Sequence, residues 1–298
     1  MDDTDVRICM LLLQNSRMPY REIAEKLELS INAVFKRIQK LIDTNVIRGF
    51  ITNLSLSYLG VLNVIVFGKS DSHDLQLVRK KLDEEENTYW MSIAGGNELY
   101  IGGYLKKFSE LETYSQKIQD IAILTNPTVG IISHDSGQIS ASDGRKELDT
   151  TDKRILSSLH KDSRKSLSDV ASELNLSAKT VRRRIEQLES DGDITHSIQW
   201  YPEASNDIIS VFHLNLHPSS NKGEVGLRII STNFPNALFF WSFANLPNYL
   251  TILSWNETMR NVMDLQKRLE ADSSVESVIT NVIYSGFIFD TWREAILN

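Results

Sequence analysis

Residues 3–48 of this chain recur without a gap at residues 150–195, a shift of 147 positions. The first stretch carries Thr4, Asp5, Arg7, Ile8, Leu12, Ser16, Arg17, Ala24, Leu27, Leu29, Ser30, Val34, Arg37, Ile38, Leu41 and Ile47. The same residue types stand at Thr151, Asp152, Arg154, Ile155, Leu159, Ser163, Arg164, Ala171, Leu174, Leu176, Ser177, Val181, Arg184, Ile185, Leu188 and Ile194. Solenoid repeats run only about 20–50 residues, so a period this long marks the duplication of a whole domain pair. Any fold for the chain must therefore provide for each element twice.

A chain of 298 residues has room for roughly two to four domains, because single cores stop growing well below that length. Its apolar and charged fractions, 41% and 24%, are those of folded globular protein rather than disordered chain. The single cysteine, Cys9, sits in an apolar run and reads as a small buried residue of a reducing compartment. The acidic start MDDTDVR is not expected to act as a secretory leader. The apolar runs, such as 237–243, are too short to span a bilayer. The chain is thus expected to be cytoplasmic, with no membrane partner.

The net charge of −7 would argue against a polyanionic partner if charge were spread evenly, but phosphate contacts are local. Between Ser30 and Leu41 stand Lys36, Arg37 and Lys40 with no acid; between Ser177 and Leu188 stand Lys179, Arg182, Arg183 and Arg184 against Glu186 alone. Each segment therefore carries a local charge of +3. In the first, Val6, Cys9, Met10 and Leu13 predict an amphipathic helix capped by Thr4 or Asp5, and a second helix follows Pro19 with Ile23, Ala24 and Leu27 inward. Ser30 then caps a third helix, in which Val34, Ile38, Leu41 and Ile42 recur at the helical period. At 100° per residue, Asn32, Ala33, Lys36 and Lys40 fall on the opposite face; in the repeat, Lys179, Thr180, Arg183 and Gln187 do so. Three short helices, the third basic outside, describe a helix-turn-helix whose third helix enters the major groove. Ile47 to Ile51 would form a wing strand. The eight outward residues are the candidate base readers. Arg182 flanks that face within reach of phosphate, while Arg37 and Arg184 are assigned either to phosphate or to an acidic neighbour within the domain.

The pattern Asp5-x-Arg7-Ile8, Ser16-Arg17, Ile23-Ala24, Leu27-x-Leu29-Ser30, Val34-x-x-Arg37-Ile38-x-x-Leu41 and Val46-Ile47-Arg48-Gly49-Phe50 resembles the Lrp/AsnC family of transcriptional regulators. So does its repeat, from Asp152 to Asp191-Gly192-Asp193-Ile194. The resemblance implies that each helical unit is followed by a ligand-sensing (RAM-type) domain of βαββαβ order, and the segments comply. Strand patterns at 61–68, 89–94, 99–105 and 128–133 alternate with helical ones around Leu75–Leu82 and Leu111–Ile118. The second half offers strands at 208–216, 238–243, 249–255 and 275–284, with helices at 225–230 and 259–269. A sheet with two helices on one face is ferredoxin-like.

The expected fold is therefore α+β, with two winged helix-turn-helix domains alternating with two ferredoxin-like βαββαβ domains. The expected boundaries are 1–52, 53–133, a linker at 134–149, 150–198 and 199–298; the linker is read from small, polar and charged residues. Aromatic positions Phe239, Trp241 and Phe243, with Trp90 and Ser92, are candidate sheet–sheet surface.

The resemblance further implies double-stranded DNA as partner, homo-oligomers through the sensor domains, and an effector of the amino-acid class near a glycine-bearing strand–turn–strand. Gly95, Gly96, Asn97 and Glu98 occupy that turn, where glycine permits close approach and a carboxylate can meet an ammonium group. The second half has Ala244, Asn245, Leu246, Pro247 and Asn248 there, with neither glycine nor acid, which argues against a second effector site.

Two other readings compete. Sirohaem decarboxylases share the architecture, but their Arg- and Phe-rich strand motif has no match in 50–68 or 199–216. A non-specific architectural DNA-binding protein would use the same basic faces. No zinc spacing, phosphate loop or nucleophile elbow is present, so no catalytic, metal or cofactor site is expected.

Overall fold

The computed structural model describes residues 1–133 and 147–297. Most of the expected linker, residues 134–146, lies outside the described residues. The first half runs α1 (Asp3–Gln14), α2 (Tyr20–Leu27), α3 (Ile31–Asp43), β1 (Ile47–Leu54) and a one-turn α4 (Leu56–Leu59). It continues with β2 (Leu62–Ser70), α5 (Leu75–Asp83), β3 (Thr88–Ala94), β4 (Glu98–Leu105), α6 (Leu111–Ala122) and β5 (Leu124–Ile131). The second half repeats this order with α7 (Thr150–His160), α8 (Leu167–Leu174), α9 (Ala178–Ser190), β6 (Ile194–Trp200) and β7 (Ile208–Leu216). Then come α10 (Lys222–Asn233), β8 (Ala237–Phe243), β9 (Leu246–Asn256), α11 (Met259–Glu270), β10 (Val275–Ile288) and a short α12 (Trp292–Ala295).

Two compact units result. One holds both three-helix segments, β1, β6 and the C-terminal turn; the other holds the two strand-rich segments. In the helical unit each half has its own core. Ile8, Cys9, Leu12, Ile23, Ala24, Val34, Ile38 and Leu41 pack in the first. The residues 147 positions on, Ile155, Leu156, Leu159, Val170, Ala171, Val181, Ile185 and Leu188, pack in the second. The helix starts are side-chain capped: Ser30 Oγ accepts from Ala33 N–H and Ser177 Oγ from Thr180 N–H. The cap of α1 is Asp2, not the expected Thr4 or Asp5. Asp5 stands three residues into the capping box, and its carboxylate reaches back to the Asp2 N–H.

The wing strand of each half is completed by the other half. β1 and β6 pair antiparallel, with Phe50 opposite Ile198 and Ile51 opposite Ser197. Since Phe50 and Ser197 are duplicates, as are Ile51 and Ile198, each of these pairs is the image of the other, and a pseudo-dyad passes between them. The same axis brings the Ser16 and Ser163 hydroxyls together at 2.6 Å, both fully buried. Around it Arg17 donates to Ser163 O, and Arg164 Nε donates to Ser16 O at 2.7 Å. Leu54 of β1 enters the second core and Ile198 of β6 the first. This is an isologous dimer contact formed inside one chain.

In the strand-rich unit the eight strands form one sheet of order β5-β2-β4-β3-β10-β7-β9-β8. Each half supplies a ferredoxin-like four-stranded block, and β3 joins β10 antiparallel. The outer strands also meet. Ile132 bridges Phe243, Ser133 N–H donates to Ser242 O at 2.8 Å, and Ala244 N–H to Ile131 O at 2.8 Å. Gly130 makes this possible, because a Cβ there would lie 2.3 Å from the Phe243 ring. Helices α5 and α6 cover Val64, Val66, Met91, Leu99 and Ile101; α10 and α11 cover Phe212, Leu214, Leu250 and Ile252. No helix among the described residues is long and apolar enough to cross a membrane.

Candidate nucleic-acid interface and sensor turn

Helices α3 and α9 start from equivalent serine caps and are both 13 residues long, so residues 147 apart occupy equivalent positions on them. Of the expected outward residues, Asn32, Lys36, Lys40, Lys179, Arg183 and Gln187 are exposed, as is Arg182. Ala33 and Thr180 are half-buried, one turn from the caps; the Thr180 hydroxyl lies 2.8 Å from Ser177 Oγ. Among the described residues, Lys36, Lys40, Lys179, Arg182 and Arg183 make no ion pair. Gln187 is engaged, its Nε2 donating to both Asp191 oxygens at 2.8 Å.

Arg37 and Arg184 behave differently. Arg37 Nη1 donates to the Asp2 carboxylate at 2.8 Å and to Asp5 Oδ1 at 2.7 Å. Arg184 Nη1 donates to Asp149 and, at 2.9 Å, to Asp152 Oδ1, the duplicates of that pair. The Arg184 hydrogen bond holds the Asp149 carboxyl down, well below the usual carboxylate range. Both arginines thus have an acidic neighbour within the domain, and they lash the third helix to the start of the first.

The wheel missed two residues on the outer side of α3. Ile31 is 52% exposed and Phe35 49%, although both are apolar; Phe35 meets the Tyr20 ring edge-on at 6.0 Å. At 100° per residue Phe35 stands 60° from Ile38, at the edge of the inward Val34–Ile38–Leu41 stripe. Ile31 stands 20° from Ile38 and falls within it, so its exposure in the first turn of α3 has no signal in the sequence. Their duplicates are Ala178 and Arg182.

In the strand-rich unit, Gly95–Asn97 form a 3₁₀ turn between β3 and β4, with Gly96 at φ 71°. Gly95, Gly96 and Asn97 are exposed. Glu98 is half-buried, and that burial raises its carboxyl pKa. Its charge acts on the phenols of Tyr100 and Tyr249. These phenols flank His213, Tyr100 Oη at 2.5 Å from Nε2 and Tyr249 Oη against Nδ1. Asn281 Nδ2 donates to Tyr100 Oη at 2.8 Å. Burial pushes the imidazole pKa down to about 4. Phe67 packs beside the three rings, and Trp90 stacks on Trp241 at 6.4 Å. These positions alternate with the helix-facing core residues, so aromatics of both halves meet on the sheet face away from the helices.

The second half's turn has another task. Asn245 accepts from Ile131 N–H at 2.9 Å and donates to Val129 O at 2.7 Å, closing β8 onto β5.

Residues 1–42 match the AsnC-type helix-turn-helix domain family, and 148–195 match winged helix-turn-helix DNA-binding domains. An uncharacterized HTH-type transcriptional regulator of Pyrococcus furiosus is 29% identical over 122 residues, covering 40% of this chain and 80% of that protein. The HTH-type transcriptional regulator LrpA of Pyrococcus horikoshii is 30% identical over 99 residues, covering 33% of this chain and 70% of that protein. Among solved structures, the siroheme decarboxylase NirDL aligns over 99% of this chain and 98% of its own, with TM-score 0.62 and 13% identity. At that identity the likeness is one of fold, extending over both halves in the same order. Given the helix-turn-helix in each half and the match to most of LrpA, the chain belongs to the Lrp/AsnC family of transcriptional regulators.

Proposed function

We propose that this protein is a sequence-specific DNA-binding regulator in which one chain supplies both recognition helices of a dimeric reader. The observation that carries the reading is the state of the cations on α3 and α9. Lys36, Lys40, Lys179, Arg182 and Arg183 stand exposed without ion pairs among the described residues, whereas Arg37 and Arg184 are tied to carboxylates. In an acidic protein, a row of unpaired cations on equivalent faces of two dyad-related helices suits phosphate and base edges. Base reading is assigned to Asn32, Ala33, Lys36, Lys40, Lys179, Thr180, Arg183 and Gln187, with Arg182 at its edge. Arg37 and Arg184 act as positioning residues.

An effector of the amino-acid class is assigned to the Gly95–Glu98 turn of the first half only. There an ammonium group would relieve the desolvation of Glu98. Further assembly of chains belongs to the same reading, supported by exposed Leu227, Met259 and Met263 on α10 and α11.

The test is binding to genomic fragments at two salt concentrations, wild type against Lys36→Ala with Arg183→Ala. Fragment-selective binding lost in the double variant is expected. Sequence-indifferent, salt-steep binding would favour an architectural protein. A new absorption band on titration with haem or sirohaem would favour an enzyme of the decarboxylase kind.

A further inference from the structure

We propose that the two recognition helices read chemically different half-sites: α3 reads thymine methyl groups through Ile31 and Phe35, and α9 reads guanine through Arg182 and Arg183. The inference rests on the DNA-reading function proposed above and gives it a ligand.

The two helices share a frame, as their equal caps and lengths require, so corresponding side chains meet corresponding positions of the groove. The outward pairs are Ile31 and Ala178, Asn32 and Lys179, Phe35 and Arg182, Lys36 and Arg183. Local charge is +3 on each segment, so attraction to phosphate does not distinguish the two. What differs is the chemistry of the outer side. On α3 two large apolar side chains are about half exposed, while the inward stripe of Val34, Ile38 and Leu41 is already full. In the major groove the apolar feature of the base edges is the C5-methyl of thymine, which apolar and aromatic side chains contact. On α9 the same side presents exposed guanidinium groups without ion pairs among the described residues. A guanidinium fork matches O6 and N7 of guanine.

A homodimer must present one surface twice, and so reads a symmetric site. Duplication within one chain lifts that constraint, while the Ser16–Ser163 contact keeps the two readers paired. The consequence is an operator with a thymine-rich half-site facing a guanine-bearing one. The chain then binds in one orientation, which a symmetric dimer cannot do.

The experiment uses the full chain. Sites are selected from a random duplex pool and remade with deoxyuridine for thymidine in one half-site, which removes only the methyl, or with 7-deazaguanine in the other. Wild type is expected to weaken about fourfold per contacted methyl, the equivalent of about 0.8 kcal/mol, and about tenfold per contacted guanine. Phe35→Ala is expected to reduce the uracil effect, leaving only the share of Ile31, and to keep the deazaguanine effect. Arg183→Ala is expected to reduce the deazaguanine effect, leaving only the share of Arg182, and to keep the uracil effect. Phe35 is half exposed, so the first variant retains the core. Symmetric selected half-sites, or a uracil effect that Phe35→Ala leaves intact, would overturn the inference while leaving the regulator reading standing. Indifference of the wild type to uracil, with self-association reduced in Phe35→Ala, would reassign the apolar pair to a protein contact. Failure to enrich any sequence would overturn the regulator reading itself.

Discussion

Arg17 and Arg164 are duplicates on the pseudo-dyad, yet they are not equivalent, and removing each in turn tests the dyad quantitatively. Each donates to the main chain across it, Arg17 to Ser163 O and Arg164 to Ser16 O. A hydrogen bond to a charged donor contributes about 1.5–3 kcal/mol. The partly buried setting and water entering the gap left by alanine put the loss near 1.5 kcal/mol for either residue. Arg164 has more to lose. Its guanidinium lies 4.5 Å from the centre of the Phe50 ring and 4.7 Å from that of Tyr20. The duplicates of those rings are Ser197 and Leu167, so Arg17 has no aromatic counterpart. Each cation–π contact adds about 0.5–1 kcal/mol. Arg164→Ala should therefore cost about 3 kcal/mol and Arg17→Ala about half that. The assay is urea unfolding, with hydrogen exchange of β1 and β6 amides as the local readout. Equal costs, a larger cost for Arg17→Ala, or no effect from either would refute the reasoning.

Two further predictions concern buried titratable groups. The His213 imidazole is depressed from 6.5 to about 4 by burial, so the unfolded chain binds its proton more readily. Its stabilising contribution is complete above pH 6.5 and is lost progressively toward pH 4, by about 3 kcal/mol in all. His213→Gln should flatten the acid side of the stability profile of the sheet unit, and an unchanged slope would contradict this. The Cys9 thiol is buried and pushed up to about 12 by that burial. It should resist thiol reagents at pH 8 in the folded protein and react fully in urea; rapid labelling of the native chain would show α1 to be open.

Much of this was legible in the sequence, for reasons that separate cleanly from what was not. Period and capping chemistry are local, so α3 and α9, with their serine caps, could be read from a few neighbouring residues. Pairing is not local. That β1 completes its wing with β6 follows from the dyad, and the sequence hint was a repeated Ser-Arg at 16–17 and 163–164 with no core role to explain it. The closing strand β5 begins at Leu124, earlier than the expected Thr128. A bulge around Asn126 and Pro127 interrupts the ladder and hides the alternation. Helix α10 spans Lys222–Asn233 rather than 225–230 because Gly223 and Gly226 weaken its propensity, while Asn221 caps it. Ile31 and Phe35 fall within or at the edge of the inward stripe on the wheel, and only the packing of the neighbouring helices decides that they stand exposed. Asn245 lay beyond the reach of the sequence for the same reason as the wing pairing: its partners, Ile131 N–H and Val129 O, lie in the other half of the chain.

The central claim is that one chain carries a complete two-site reader, and a stoichiometric footprint tests it most directly. With a single chain bound per duplex, as measured by native mass spectrometry, base-resolved protection should cover two successive major-groove segments. Asn32→Ala with Lys36→Ala should erase one segment, and Lys179→Ala with Arg183→Ala the other. Protection of a single segment by each chain, or loss of both segments from either pair of substitutions, would contradict it.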